Sequence, residues 1–196
     1  MLVALTGCLG CGKSTVLKIL RELGVRTISA DEIVHELLES KEVQEEIQRL
    51  FGPDVFLKDG KVDRKRLAQR IFSNQKEREK LEMLLHPLVF KRIRIEYEKE
   101  PGRLMVAEIP LLFETDTQNR FSKVITVYAP MEVAIKRLKS RGMTREDIEA
   151  RLKSQMPIET KVERSDFVID NSRELKEIRK QVQQVLEKLQ EGETKA

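Results

Sequence analysis

Residues 2–16 read LVALTGCLGCGKSTV, and this stretch decides the fold. Its apolar start predicts a short buried strand, and the residues from Lys13 onward predict an amphipathic helix that ends at Gly24. Between them, residues 7–14 match the pattern G-x-x-x-x-G-K-S, whose backbone N–H groups surround phosphates at a helix N-terminus. Strand, glycine loop and helix is the context that this pattern requires. We therefore predict that the loop binds a nucleoside triphosphate.

Each residue type in the loop suits one part of this ligand. Glycine permits close approach and positive φ angles. We expect Lys13 to reach the β and γ phosphates, the Ser14 hydroxyl to ligate Mg²⁺ and Thr15 to contact the α phosphate. The nucleotide-binding residues predicted on the loop are Gly7, Gly10, Cys11, Gly12, Lys13, Ser14 and Thr15.

The two cysteines of the chain, Cys8 and Cys11, both lie inside this loop and have the spacing of a redox pair. We favour the simpler interpretation of two small residues that fill loop positions, because a thioredoxin-like site needs its own fold context. The alternative is that oxidation joins the two thiols and distorts the loop.

The rest of the chain predicts an α/β fold. Residues 31–100 carry apolar residues at helical spacing without a strand pattern, which indicates a helical insert. Five short strands separated by helices predict a five-stranded parallel sheet flanked by helices, with ligands outside the carboxyl ends of the strands. The core then comprises residues 1–30 and 101–196, with a small helical lid at about 139–156. The four further strands are predicted at residues 26–29, 104–109, 123–128 and 167–170.

Local signals predict how several helices begin, bend and pack. Asp63 can cap one helix, and Thr144 with Asp147 forms a capping pair for another. Near His86 and Pro87 we expect a long helix to be interrupted or bent, because proline lacks the N–H that a helix needs. The last helix should pack through one apolar face formed by Leu175, Ile178, Val182, Val185 and Leu189.

Two carboxylates follow predicted strands and are candidates for the chemistry. Asp31 comes just after the second strand and could accept the proton of an attacking hydroxyl, or it could simply cap the helix that follows. Glu108 ends the third strand and could hold Mg²⁺ through water, or it could be an ordinary carboxylate at a strand end.

Arginines populate the segment between the fourth and fifth strands. A mobile arginine-bearing lid excludes water and neutralises charge on a transferred phosphoryl group, although arginines on helices are usually solvated. Arg141 is the leading candidate because it precedes Gly142 between two helices. Arg137, Arg145 and Arg151 lie nearby in the sequence.

Taken together, these residues resemble the dephospho-CoA kinase family over nearly the whole chain. The similarity rests on the phosphate loop, on Ala30-Asp31, on Asp63-Arg64 with Leu67, and on Arg137-Leu138 with Arg141. Its most specific blocks are Leu85-His86-Pro87 and Pro110-Leu111-Leu112-Phe113-Glu114, and Gln155, Asp166 and Ile169-Asp170-Asn171 complete it. The chain departs from the family at Cys8 and Cys11, where glycine and serine are usual, and also at Glu108, Ala134 and Ser165.

The resemblance implies a P-loop kinase that transfers phosphate from ATP, with Mg²⁺, to the ribose 3′-hydroxyl of dephospho-CoA. It makes Asp31 the expected general base and places Lys13 and Arg141 beside it in catalysis. It adds Arg137 and Asn171 to the nucleotide site, with Asn171 near the adenine, and residues 111–114 in the cleft between the halves. The acceptor residues that it implies are Asp31, Arg64, His86, Pro110, Leu111, Leu112 and Glu114.

Composition and missing motifs bear on the other classes. The chain has 196 residues, is 36% charged with both signs interspersed, and is only 5% aromatic, which argues against nucleic-acid binding. Without an apolar run of membrane length or a signal peptide, we expect a cytoplasmic protein that is a monomer or a weak homo-oligomer. A GTP-driven switch would need an Asn-Lys-x-Asp motif, which does not occur. Within kinases the alternative is a nucleoside monophosphate or shikimate kinase.

Overall fold

A single sheet organises the computed structural model, which describes residues 1–193. Within these residues the sheet has five strands in the order β2-β3-β1-β4-β5, and β1 pairs in parallel with β3 and β4, as β4 does with β5. The predicted five-stranded parallel sheet is confirmed. The strands are β1 (Leu2–Gly7), β2 (Arg26–Ser29), β3 (Met105–Glu108), β4 (Lys123–Tyr128) and β5 (Phe167–Asp170).

The chain divides into two compact units, one comprising Met1–Ile28 with Gly102–Ala196 and the other Ser29–Pro101. In the first unit, α1 and α9 pack together, α9 also packs on β5, and α8 packs on β4. A buried apolar core of the first unit includes Leu5 and Val16. Its helices are α1 (Lys13–Glu22), α6 (Met131–Ser140), α7 (Arg145–Lys153), α8 (Ile158–Glu163) and α9 (Leu175–Glu193).

The second unit is helical and has an apolar core of its own, which includes Ile47, Phe51 and Leu85. Asp63 caps α4, as predicted, by accepting hydrogen bonds from the backbone N–H groups of Lys65 and Arg66. Phe56 and Val62 form one isolated antiparallel bridge. The helices of this unit are α2 (Ala30–Leu37), α3 (Lys41–Phe51), α4 (Arg64–Ser73) and α5 (Gln75–Glu98).

The long helix was predicted to be interrupted or bent near His86 and Pro87, and the interruption is wrong, because α5 runs without a break through Pro87. Its buried residues lie on both sides of the proline and are spaced four apart, which keeps one face of the helix packed along its length. That burial compensates for the hydrogen bond that Pro87 cannot donate. The buried residues of this face are Leu81, Leu85, Val89 and Ile93.

Two other helix predictions need a correction. Leu175 is 63% exposed, although Ile178, Val182, Val185 and Leu189 are buried as expected. Leu175 is the first residue of α9. The short helix α8 was not predicted at all, because six residues give too little periodicity to recognise. The capping pair is confirmed, since the Thr144 side chain accepts a hydrogen bond from Asp147 N at 3.1 Å.

Candidate active site

The phosphate loop connects β1 to α1 with the geometry that its motif requires. Gly10 and Gly12 have φ angles of 81° and 85°, and α1 begins at Lys13. The Lys13 ammonium lies inside the loop, where Nζ donates to the carbonyl oxygens of Gly7 at 3.2 Å and Cys8 at 3.1 Å. The loop is therefore wrapped around the positive charge that would meet a nucleotide's phosphates.

Gly12 has no room for a side chain. A Cβ atom at this position would lie 1.9 Å from Asn171 Nδ2, and the left-handed backbone would strain any other residue. Asn171 is 2% exposed, and its Nδ2 donates to the carbonyl oxygen of Cys11 at 2.7 Å. The Asn171 side chain, which follows β5, thus holds the phosphate loop by a bond to the loop's backbone.

Arg137, on α6, contacts the same part of the loop. Its Nη2 donates to the carbonyl oxygen of Asn171 at 2.7 Å, and its Nη1 lies 3.5 Å from the carbonyl oxygen of Cys11. Arg137 and Asn171, both predicted to belong to the nucleotide site, therefore lie together against the loop. Arg141 is the C-cap of α6, is exposed, and precedes the turn at Gly142.

Cys8 and Cys11 form a disulfide with a Cα–Cα distance of 5.4 Å. The interpretation of two unlinked small residues is therefore wrong. Both residues are almost completely buried and pack into the apolar core beneath the loop. The two positions are close because the loop turns back on itself, with Cys11 N donating to Cys8 O at 3.3 Å.

Two residues near the loop, Ser14 and Glu108, carry oxygen atoms suited to Mg²⁺. Ser14 is exposed in the first turn of α1, beside Thr15. Glu108 ends β3 and is paired in register with Leu5 on β1, two residues before the loop begins at Gly7. A hydroxyl and a carboxylate are the hard donors that Mg²⁺ prefers, with its other ligands coming from phosphates and water. Among residues 1–193 no cluster of three or more acidic, His or Cys side chains could hold a metal by itself.

A largely buried network connects the segment after β3 with residues 155–161. Glu114 Oε1 accepts from the Met156 backbone N–H at 2.8 Å and pairs with Lys161 Nζ at 2.8 Å. Lys161 Nζ also donates to the carbonyl oxygen of Pro110 at 2.9 Å. Next to Met156, Gln155 Oε1 accepts from the backbone N–H of Leu9 in the phosphate loop at 2.9 Å. The phosphate loop is thus held by the side-chain amides of Gln155 and of Asn171.

The Lys161 side chain is completely buried, while Glu114 keeps 15% of its side chain exposed. Burial lowers the pKa of Lys161, although the hydrogen bond and charge of Glu114 act in the opposite direction. In the same segment, Leu112 is completely buried and Leu111 is 37% exposed. Glu114 and Leu112 therefore contribute to packing within this unit, in addition to any contact with a ligand.

Asp31, Arg64 and His86 belong to the helical unit. The capping interpretation of Asp31 is wrong, because Ser29 occupies the N-cap of α2 and Asp31 lies exposed in its first turn. Arg64 pairs with Glu39 at 3.1 Å at the edge of a depression of about 340 Å³. His86 is half-buried on α5, which packs against α2.

Comparison with known proteins identifies the family. The family model described as dephospho-CoA kinase matches residues 1–177. The chain belongs to the dephospho-CoA kinase family. It is 42% identical over 189 residues to a dephospho-CoA kinase of Aquifex aeolicus, covering 95% of this chain and 96% of the relative.

Two solved structures extend this result to the fold. The dephospho-CoA kinase from Campylobacter jejuni is 31% identical, with a TM-score of 0.71 and coverage of 98% of each chain. The protein TT1252 from Thermus thermophilus is 35% identical, with a TM-score of 0.86 and coverage of 96% of this chain and 97% of that one. This dephospho-CoA kinase family member is therefore an enzyme of the P-loop kinase type, and the alternative of a nucleoside monophosphate or shikimate kinase is not favoured.

Sequence reasoning about this family member missed Lys161 and the loop-holding contact of Gln155. A lysine in a chain with 37 lysines and arginines carries no signal by itself. The available hint was weak: Lys161 lies three residues after the buried Ile158, on the same face of a short helix. Gln155 itself belongs to the family resemblance, but its contact with Leu9 could not be predicted from the sequence, because it joins residues 146 positions apart.

Proposed function

We propose that this protein transfers the γ-phosphoryl group of ATP to the ribose 3′-hydroxyl of dephospho-CoA, giving coenzyme A and ADP. The observation that carries the proposal is a phosphate loop closed around Lys13 in a chain that belongs to this family over residues 1–177. The charge developing on the transferred group needs a fixed cation, and Lys13 supplies it.

On the donor side, the loop glycines Gly7, Gly10 and Gly12 bring backbone N–H groups close to the phosphates. Ser14 and Glu108 would hold Mg²⁺, Glu108 through water, and the exposed position of Ser14 supports this assignment. When bound, Mg²⁺ neutralises negative charge on the phosphate oxygens. Thr15 follows in the same helical turn, where it can contact the α phosphate.

Arg137 and Arg141 are the proposed lid arginines, and they differ in how they are held. Arg137 is fixed by its bonds to the carbonyl oxygens of Asn171 and Cys11, so its guanidinium is held beside the phosphate loop, where it can contact the nucleotide. Arg141 is exposed at the end of α6 and can move with the turn at Gly142. Asn171 supports the loop through Cys11, and its neighbours would lie near the adenine.

On the acceptor side, we assign Asp31 the role of general base, which accepts the proton of the attacking 3′-hydroxyl. Its exposed carboxylate in the first turn of α2 is available for this role. The cation of Arg64 suits a phosphate of dephospho-CoA. The remaining proposed acceptor residues are His86, Pro110, Leu111, Leu112 and Glu114.

The assignment is tested by incubating the protein with ATP, Mg²⁺ and one acceptor at a time from a panel of dephospho-CoA, AMP, CMP, shikimate and water. ADP release should require dephospho-CoA. Release only with a nucleoside monophosphate or with shikimate would contradict the proposal. Product analysis then separates the 3′-phosphorylated product from other isomers.

The role of Asp31 is tested by Asp31→Asn, with Glu32→Gln as a matched control one residue along the same helical turn. Removal of a general base should lower kcat by about 10² to 10⁴-fold while the KM for ATP stays close to that of the parent. Near-normal turnover of Asp31→Asn, or an equal loss in Glu32→Gln, would remove Asp31 from the mechanism.

A further inference from the structure

The disulfide in the phosphate loop has no part in phosphoryl transfer as described above. Cys8 is 2% exposed and Cys11 is completely buried, so neither sulfur is placed to contact a bound nucleotide. Backbone groups and Lys13 bind the phosphates, whichever side chains occupy these two positions. The bond therefore needs a separate explanation.

The disulfide coexists with a loop that is shaped to bind phosphate. With the bond formed, Gly10 and Gly12 keep their left-handed conformations, α1 begins at Lys13, and the lysine ammonium lies against the loop's carbonyl oxygens. The disulfide is therefore compatible with the left-handed glycines and the helix start that the phosphate-binding motif requires.

Both cysteines are also joined, through their backbones, to groups of the nucleotide site. Cys8 O accepts from Lys13 Nζ, while Cys11 O accepts from Asn171 Nδ2 at 2.7 Å. Arg137 Nη1 lies 3.5 Å from the same Cys11 oxygen. A change in the covalent state of the pair therefore acts directly on the residues that hold Lys13 and the lid arginine in place.

We propose that Cys8 and Cys11 form a reversible thiol–disulfide site, which reacts with low-molecular-weight disulfides and dithiols, and that the disulfide form binds ATP more tightly than the dithiol form. The proposal rests on the assignment of the loop to ATP. The bond removes open loop conformations from the free protein, so less conformational entropy is lost when the nucleotide binds.

The oxidation is balanced by disulfide exchange. One cysteine thiolate attacks a disulfide RSSR, a mixed protein–SR disulfide forms and RS⁻ leaves; the second thiolate then attacks the protein sulfur and expels the second RS⁻. Two protein thiols are oxidised, one RSSR is reduced to two RSH, and the protons of the protein thiols end on the two RSH molecules. A dithiol reverses both steps.

Burial makes the exchange depend on opening of the loop. A reagent can reach the sulfurs only when the loop leaves its packed position. Because coupling between two equilibria is reciprocal, a nucleotide that prefers the disulfide form must also shift the dithiol–disulfide equilibrium towards the disulfide. The site thus has two measurable signatures, one in ATP affinity and one in the fraction of disulfide at equilibrium.

The test measures binding of a non-hydrolysable ATP analogue by calorimetry, without dephospho-CoA because that acceptor carries a thiol of its own. Wild-type protein is incubated with oxidised glutathione or with reduced dithiothreitol, the reagent is removed, and the free thiols are counted after denaturation. The oxidised form should bind the analogue at least about fivefold more tightly, at the lower end of typical coupling energies. At a fixed ratio of reduced to oxidised glutathione, the analogue should also raise the fraction of protein in the disulfide form.

Two variants control for effects of the reagents. Cys8→Ser and Cys11→Ser should each bind the analogue with the affinity of reduced wild type, whichever reagent is present. Equal affinity of the oxidised and reduced wild-type forms, two free thiols after oxidation, or an equilibrium disulfide fraction that is unaffected by the analogue would each overturn the proposal. Failure of the kinase assignment would instead appear as absence of ADP release with dephospho-CoA in both forms.

Discussion

At the scale of single residues, two glycines with the same backbone conformation should respond very differently to substitution. Gly12 and Gly142 have φ angles of 85° and 81°, but a Cβ at Gly12 meets Asn171 Nδ2 at 1.9 Å, whereas nothing lies within 4 Å of a Cβ at Gly142. Gly142→Ala should therefore lose about 1 kcal/mol of stability to backbone strain. Gly12→Ala should also displace Asn171 and weaken ATP binding by at least about tenfold.

Calorimetric titration with ATP and thermal melts of both glycine variants check this. An ATP affinity of Gly12→Ala equal to that of wild type would show that the contact with Asn171 does not control the loop. Gly142→Ala adds a methyl group that contacts no other atom, so the difference between the two melting temperatures isolates the steric effect.

Substitution of the buried Lys161 should lower the stability of the protein far more than substitution of a surface cation. Lys161→Met leaves the Glu114 carboxylate, which is 15% exposed, without its counter-charge, and removing one partner of a buried pair costs about 3 to 5 kcal/mol. We expect a large drop in melting temperature. Arg145→Met, which removes an exposed pair with Glu149, should change the free energy of unfolding only slightly.

The double variant Lys161→Met with Glu114→Leu distinguishes between two causes of the lost stability. If the loss comes from an uncompensated carboxylate, the double variant should be more stable than Lys161→Met alone. Additive losses would mean instead that the bonds from Lys161 to Pro110 and from Glu114 to Met156 are what matters.

The pH dependence of stability follows from the direction of the Lys161 shift. Burial lowers its pKa in the folded protein, so between the folded and unfolded pKa values the unfolded chain binds more protons. The free energy of unfolding attributable to Lys161 therefore rises as the pH increases through that window, towards the ordinary lysine value of 10.5. Denaturant melts of wild type and Lys161→Met across alkaline pH should differ in this slope; parallel slopes would contradict it.

At the scale of elements, Pro87 offers a way to stabilise α5. The helix passes through this exposed proline without a break, so one backbone hydrogen bond is missing from a helix of 24 residues. Pro87→Ala restores the donor, against a smaller loss from the greater freedom of the unfolded chain, and should raise stability by about 1 to 2 kcal/mol. Urea denaturation followed by helical circular dichroism measures the change, and a lower midpoint would contradict it.

The same helix shows what the sequence could and could not establish. Local signals predicted the strands and the caps at Asp63 and Thr144, because apolar runs and capping side chains act over a few residues. The continuity of α5 through Pro87 depends on packing against other helices, which outweighs a local preference. The disulfide between Cys8 and Cys11 and the burial of Lys161 likewise depend on how the chain folds back on itself.

At the scale of the whole molecule, the helical unit should hold its structure without the rest of the chain. Residues 29–101 form one compact unit with its own buried apolar cluster. A fragment of this size is marginally stable, so we expect a helical circular dichroism spectrum with a cooperative but low-temperature melt. A non-cooperative melt, or a spectrum without helix, would show that the unit depends on the sheet.

Light scattering of the intact chain tests the prediction that the protein is a monomer or a weak homo-oligomer.

The strand order of the sheet also has a consequence for synthesis on the ribosome. β1 precedes the other four strands along the chain and lies at the centre of the sheet, yet its two neighbours are β3 at Met105–Glu108 and β4 at Lys123–Tyr128. At about 5 to 20 residues per second, the nascent strand waits roughly 5 to 25 seconds for them. During that interval the apolar segment at residues 2–7 is exposed in the nascent chain, and binding of a chaperone to this segment would prevent its aggregation.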